Sequence, residues 1–180
     1  ERIKDNFQMS KTIGLDKYDY FMEKNPPEQE YMIKAIKTKC KTNNRISVLE
    51  IGSGTGRFSK KILDASPNAI LYLVEPDKEC TIKLNAMFSH NKNVTVIQNS
   101  AENMNFTERF DVVCMATSFH HIGYKNKIGV VRKISHLLKY DGIFIMCDNF
   151  IADYVNDKEK MEVLIKYHDK WIKDSIKNGD

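Results

Sequence analysis

Three groups of residues in this 180-residue chain have the types and spacing to do chemistry. The first is Glu50-x-Gly52-x-Gly54-x-Gly56, which follows the apolar stretch beginning at Ile46. Alternating glycines let a backbone turn sharply and leave room for a ligand to lie on the main chain, so the stretch reads as a nucleotide-type binding loop. The second is Glu75, with Pro76 and Asp77 behind it. It stands about 20 residues beyond the loop, where a carboxylate can accept hydrogen bonds from both hydroxyls of a ribose. The third is the tandem pair His120-His121, just after the apolar run Phe110 to Ala116. Imidazole titrates near neutrality and can take a proton from a nucleophile.

Strand-like and helix-like segments alternate from residue 46 onward, as in a parallel sheet with helices on both faces. Strands are expected at 46–51, 69–74, 94–97, 110–116 and 143–147. Helices are expected at 57–65, from the Asp77 cap to Ser89, and at 127–140. The second of these would offer Ile82, Leu84, Met87 and Phe88 as apolar surface. The third would offer Ile128, Val131, Ile134, Leu137 and Leu138, with Asp141-Gly142 turning the chain into the last strand. Ahead of this core lie Tyr18, Tyr20 and Phe21, then a helix from Pro27 to Lys39 bearing Tyr31, Met32, Ala35 and Ile36. Proline suits a first helical turn, which is the reading given to Asn25-Pro26-Pro27. After the core, Met161, Leu164, Ile165, His168, Ile172 and Ile176 recur at helical spacing. The chain is therefore divided into an N-terminal helical lid or substrate segment (1–45), a cofactor-binding core (46–150) and a C-terminal amphipathic helix of the same domain (151–180).

In an open parallel sheet the ligand lies beyond the carboxyl ends of the strands, where strand order reverses. The stretches that matter are then Glu50 to Gly56, Glu75-Pro76-Asp77, Asn99-Ser100-Ala101-Glu102 and Thr117 to His121. Composition narrows the partners. A net charge of +4 from 28 basic and 24 acidic residues, scattered without long like-charge runs, reads as a solvated surface and gives no expectation of nucleic acid. No apolar run approaches the roughly 20 residues that span a bilayer, and no signal-peptide core opens the chain, so a soluble cytoplasmic protein with no membrane partner is expected. Cys40, Cys80, Cys114 and Cys147 form no C-x-x-C pair and read as reduced structural thiols. His90, His136 and His168 lack ligand-spaced partners, and the side chains of His120 and His121 diverge, so no metal is expected. Oligomeric state is not legible.

A glycine loop followed by a distal acid serves two cofactor classes. Dinucleotide sites prefer G-x-G-x-x-G, whereas this chain spells G-x-G-x-G, and an acid inside the first strand suits a cationic amine better than a diphosphate. The chain resembles the class I, Rossmann-like S-adenosylmethionine-dependent methyltransferases of small-molecule type. The resemblance rests on Val48-Leu-Glu-Ile-Gly-Ser-Gly-Thr-Gly56, Glu75, Ser100-Ala-Glu102, Phe110-Asp-Val-Val113 and Leu138-x-x-x-Gly142, in that order over residues 46–147. It implies an S-adenosylmethionine cradle in which Gly52 and Gly54 underlie the methionine and ribose parts, Ser53 and Gly56 complete the cofactor-binding loop, and Glu50 orders the loop and the amine. It further implies that Glu75, with Pro76, holds the ribose, that Ser100, Ala101 and Glu102 flank the adenine, and that Thr117 approaches the methionine end. Many relatives carry Asp where this chain has Ser100.

On the same resemblance His120 and His121 are the catalytic candidates, and Tyr18, Tyr20, His120 and Tyr124 would contact the acceptor. A histidine there acts as a base if the nucleophile must lose a proton, and otherwise positions or packs; both readings are open. The expected activity is transfer of a methyl group by in-line displacement to a small-molecule acceptor, S-adenosylhomocysteine being the other product. Two alternatives fit part of the pattern: an NAD-dependent oxidoreductase on a Rossmann core, which the loop spelling disfavours, and a non-catalytic cofactor-binding or regulatory module. Members of this class usually finish with a sixth and a seventh strand, yet nothing strand-like follows Cys147. The expected fold is therefore a doubly wound, mainly parallel α/β sheet lacking its last two strands, with an edge open to pairing. Which acceptor is used, and whether oxygen, nitrogen, sulfur or carbon takes the methyl group, is not written in these residues.

Overall fold

The computed structural model describes residues 9–12, 14–15, 19, 27–42, 45–148, 152 and 154–178. Its elements in chain order are α1 (Met9–Thr12), α2 (Pro27–Thr42), β1 (Ser47–Ile51), α3 (Arg57–Ala65), β2 (Ile70–Glu75), α4 (Lys78–Phe88) and β3 (Val94–Gln98). They continue with β4 (Phe110–Ala116), a 3-10 turn (Phe119–His121), α5 (Tyr124–Leu137), β5 (Leu138–Cys147) and α6 (Asp157–Asn178). Tyr18, Tyr20 and Phe21 lie outside the described residues.

The apolar runs pair into one five-stranded sheet in the order β3-β2-β1-β4-β5, with every pairing parallel. From β1 the chain winds outward through β2 and β3, then crosses back to place β4 and β5 on the other side of β1. Strand order therefore reverses between β1 and β4, and a crevice opens above their carboxyl ends. Alternation along the strands sends side chains to two separate cores. On one face Val48, Leu71, Leu73, Val112 and Cys114 pack with Met32 and Ile36 of α2, Phe58 and Ile62 of α3 and Leu84 of α4. On the other, Leu49, Ile51, Val74, Val113 and Met115 pack with Met104 and with Val130, Ile134 and Leu137 of α5. Asp77 caps α4 by accepting from the Glu79 amide at 3.0 Å.

The faces of α4 and α5 differ from the expected ones. Cys80, Thr81 and Leu84 are the buried residues of α4, while Ile82 and Met87 are exposed. In α5 Val130, Ile134 and Leu137 are buried, and Ile128 and Val131 face solvent. Apolar side chains stand on both flanks of these helices, so spacing alone does not choose the inner one. A larger correction concerns the end of α5. The helix stops at Leu137 and Leu138 already belongs to β5, where it pairs with Phe110. The next pair is Val112 with Ile143, so residues 139–142 loop out opposite Asp111 alone. Charge contacts hold this loop. Lys139 Nζ donates to Asp111 Oδ2 at 2.8 Å and Lys39 Nζ to Asp141 Oδ2 at 2.7 Å. Gly142 is required, since a Cβ there would lie 2.8 Å from the Phe110 carbonyl oxygen.

Asp111 is buried and serves both the Ser47 amide at 2.7 Å and the Ser47 hydroxyl at 2.9 Å besides Lys139. Burial on its own would raise its pKa, but the hydrogen bonds from Lys139 and Ser47 outweigh it and hold the carboxyl below its ordinary 3.8. Asp111→Ala strands the Ser47 amide and should cost about 2 kcal/mol at neutral pH. Because the folded-state pKa is depressed, the carboxylate's contribution is whole above 3.8 and is lost as pH falls through the folded value. Thermal melts should therefore show a gap between parent and variant that narrows only in acid below about pH 4.

Residues 1–148 form one compact unit and residues 149–180 a second. In the second, α6 begins at a capping arrangement: the Asn156 side chain accepts from the Glu159 amide at 2.9 Å, and Glu159 Oε2 accepts from the Val155 amide at 2.8 Å. No described helix is long and apolar enough to cross a membrane.

Candidate functional site

The glycine loop leaves β1 at the switch point with three left-handed residues, Gly52 (φ 76°), Gly54 (φ 54°) and Gly56 (φ 86°). Each has a partner that explains it. The Gly52 and Ser53 amides both donate to the Val74 carbonyl, at 2.8 and 3.2 Å, folding the loop across the tip of β2. The Gly54 amide donates to Glu75 Oε2 at 2.8 Å. At Gly56 a Cβ would stand 2.8 Å from Leu84 of α4, so this glycine lets α3 and α4 approach. Gly52 is the most constrained: a Cβ would fall 2.4 Å from Ser118 Cβ, and Ser118 Oγ donates to the Ile51 carbonyl at 2.8 Å. The ends of β1 and β4 are thus locked together across the crevice.

Glu50 and Glu75 are both nearly inaccessible. Glu50 points from β1 toward α3, where Ser59 Oγ donates to it at 2.6 Å. Burial, only partly offset by that hydroxyl and reinforced by the charge of Glu75, pushes its pKa up to about 8. Burial also raises Glu75, against the pull of the amides of Asp77 at 2.9 Å and Gly54. A carboxyl with a raised folded-state pKa retains a proton that the unfolded chain releases, so stability falls as pH rises from 4.5 toward 8 and levels off beyond. Melting temperatures measured over that window should decline, and Glu50→Gln, which keeps an acceptor for Ser59, should remove most of the slope. A slope unchanged by the substitution would assign it elsewhere.

The N-terminal segment reaches this acidic edge at two described points. Ser10 donates through its amide and hydroxyl to Asp77, at 2.8 Å for the amide. Burial works against ionisation of Asp77, but the donors from Ser10 and the α4 backbone prevail and lower its pKa. Asp19 accepts from Thr55 Oγ1 at 2.6 Å and from Lys83 Nζ at 3.3 Å, while its carbonyl accepts from Arg57 at 3.1 Å. Arg57 and Lys83 are thereby engaged with Asp19.

At the tip of β3 Ser100 closes a turn: its amide donates to Asn99 Oδ1 at 2.9 Å and its Oγ accepts from the Asn103 amide at 3.3 Å. Ala101 is buried, Glu102 half-buried, and Pro76 is exposed beside Glu75. At the tip of β4 Thr117 has φ 56°, a strained value for a β-branched residue. Its amide donates to the Cys147 carbonyl at 2.8 Å. The 3-10 turn follows, with the His120 and His121 rings 3.9 Å apart. Partial burial and the neighbouring His120 push His121 down to about 4, although part of its surface is open to solvent. Tyr124, at the start of α5, is 89% exposed. Tyr18 and Tyr20 fall outside the described residues.

The sites expected around the loop, β2, β3 and β4 thus meet at one edge of the sheet. Three residues that line or brace this edge carry no site signal in the sequence: Asp148, Asp19 and Ser10.

The sequence pattern of the methyltransferase domain family matches residues 48–142. Among curated relatives, malonyl-[acyl-carrier protein] O-methyltransferase 1 of Ilyobacter polytropus is 23% identical over 177 residues, 96% of this chain and 62% of that protein. The solved structure of the YcgJ protein from Bacillus subtilis is 27% identical with a TM-score of 0.58, covering 68% of this chain and 50% of that one. The plantazolicin methyltransferase BpumL, solved with S-adenosylhomocysteine, is 17% identical with a TM-score of 0.63, covers 89% of this chain and 66% of that one, and shares the fold. The chain spans roughly half to two thirds of the length of these relatives.

Proposed function

Since the chain belongs to the methyltransferase domain family, we propose that it uses S-adenosylmethionine to methylate a small-molecule acceptor. The observation that carries this reading is the cradle at the tips of β1 and β2: Glu75 and Asp77 stand beside the left-handed glycines, and Arg57 and Lys83 are turned to Asp19. Such a site suits a cationic ligand with a ribose diol. It does not suit a pyrophosphate, so the NAD-dependent alternative has no observation in its favour.

When bound, the cofactor supplies an electrophilic methyl group on a sulfonium sulfur. Everything else falls to the chain. Gly52 and Gly54, with Ser53 and Gly56, would underlie the methionine and ribose parts, where left-handed glycines leave no Cβ in the way. Glu75 would accept from the ribose hydroxyls with the lone pairs that its two backbone donors leave over, beside Pro76. Glu50 would order the loop and the cofactor's amine through hydrogen bonds. Ser100, Ala101 and Glu102 would flank the adenine, with one lone pair of the Ser100 hydroxyl engaged by its turn. Thr117 would bring its backbone to the methionine end. The acceptor would be met by the turn at His120 and His121, by Tyr124, and by Tyr18 and Tyr20 of the N-terminal segment. In-line transfer needs that acceptor held in place and water excluded.

The test is incubation of the chain with methyl-labelled donor and a metabolite extract, followed by separation by size. Label in the small-molecule fraction is expected. Label confined to protein or nucleic acid would overturn the small-molecule acceptor.

A further inference from the structure

One contact at the tip of β4 belongs to no part of the cofactor cradle. Asp148, the residue after β5, has its side chain 1% exposed, and Oδ1 lies 2.6 Å from His120 Nδ1. Its other oxygen, Oδ2, accepts from the His120 backbone amide at 3.1 Å. One carboxylate therefore grips both the main chain and the ring of the same histidine. A carboxylate has no proton to give, so Nδ1 must donate, and the ring's lone pair is consigned to Nε2. The His120 side chain is 36% exposed, so that lone pair sits on a reachable ring. His121 lies beside it with its ring tilted by 48° and, held down at about 4, stays neutral at ordinary pH and adds no competing charge.

The geometry points to Asp148 as the positioning residue that fixes His120 as a general base, and hence to an acceptor whose nucleophile is a neutral hydroxyl or N–H group. This rests on the methyltransferase reading above. As the acceptor atom bonds to the methyl carbon, the carbon–sulfur bond breaks and its pair stays on the sulfur of S-adenosylhomocysteine; the acceptor's bond to hydrogen breaks, that bonding pair stays on the acceptor, and the proton goes to His120 Nε2. The resulting imidazolium is paired with Asp148 and later loses its proton to water. A carboxylate or thioether acceptor brings no proton to remove and would leave the pair unused.

Asparagine is the informative replacement, because it offers one acceptor oxygen where aspartate offers two. The backbone amide of His120 cannot reverse its polarity, so in Asp148→Asn the single side-chain oxygen must serve it. The amide NH2 then faces Nδ1, and the ring must switch to the tautomer protonated at Nε2, which cannot accept a proton. Turnover of a protic acceptor should fall about 10²- to 10⁴-fold.

The decisive readout needs no acceptor. Long-range nitrogen–proton NMR of the histidine rings should show His120 protonated at Nδ1 in the parent and at Nε2 in Asp148→Asn, while calorimetry gives both proteins the same affinity for S-adenosylhomocysteine. A parent His120 protonated at Nε2 overturns the proposal by itself, even if the variant does not fold. An Nδ1 proton that survives in a folded Asp148→Asn protein also overturns it. Absence of S-adenosylhomocysteine binding in the parent would instead remove the methyltransferase reading, so the two failures are distinguishable.

Discussion

Gly52→Ala is expected to melt about 6–12 °C below the parent and to lose its cofactor loop. Two costs add at this position. The residue sits at φ 76°, where a Cβ costs about 1–2 kcal/mol. The new methyl group would also lie 2.4 Å from Ser118 Cβ, an overlap of the kind that costs about 1–3 kcal/mol when packing must give way. Ser118 cannot step back freely, because its hydroxyl is bound to the Ile51 carbonyl. The total, about 3 kcal/mol, converts at about 2–4 °C per kcal/mol for a chain of this size. Gly129, inside α5 with nothing within 4 Å of a Cβ, is the matched control. Gly129→Ala should raise the melting temperature by a few degrees, since alanine gains about 1 kcal/mol in a helix interior. Opposite signs for one chemical change would show that the loop glycines are demanded by geometry.

The second large effect is on the cofactor. Glu75→Gln should weaken S-adenosylhomocysteine binding by about 10- to 150-fold in calorimetry. The carboxylate serves the Gly54 amide with Oε2 and the Asp77 amide with Oε1. Glutamine has a single acceptor oxygen, so one of these amides meets an NH2 group, and the loop is released from β2 or Asp77 from its cap. Hydrogen bonds to a charged group are worth about 1.5–3 kcal/mol. At about 1.4 kcal/mol per tenfold this gives the stated loss, before counting any ribose contact. Affinity within threefold of the parent would place the ribose away from Glu75.

Much of this site is legible in the sequence alone, for a physical reason. Alternating glycines after an apolar strand, and an acid one β-α-β unit later, are local signals of a backbone conformation and of a strand tip. What escapes such reading are meetings between residues distant in sequence. Asp148 is separated from His120 by 28 positions, and Ser10 from Asp77 by 67; nothing in the neighbourhood of either residue announces its partner. The end of α5 is expected too late because Leu137 and Leu138 both suit a helical stripe, and only the pairing of Leu138 with Phe110 assigns it to the sheet. Ile128 and Ile82 mislead in the same way, being apolar and exposed.

The acid-lined cradle can be tested by a calorimetric titration of the chain with S-adenosylhomocysteine and, separately, with NAD. Saturable binding of S-adenosylhomocysteine, one per chain, with no heat from NAD, is the predicted result. Binding of NAD without S-adenosylhomocysteine, or of neither, would rule out an S-adenosylmethionine cradle at this loop.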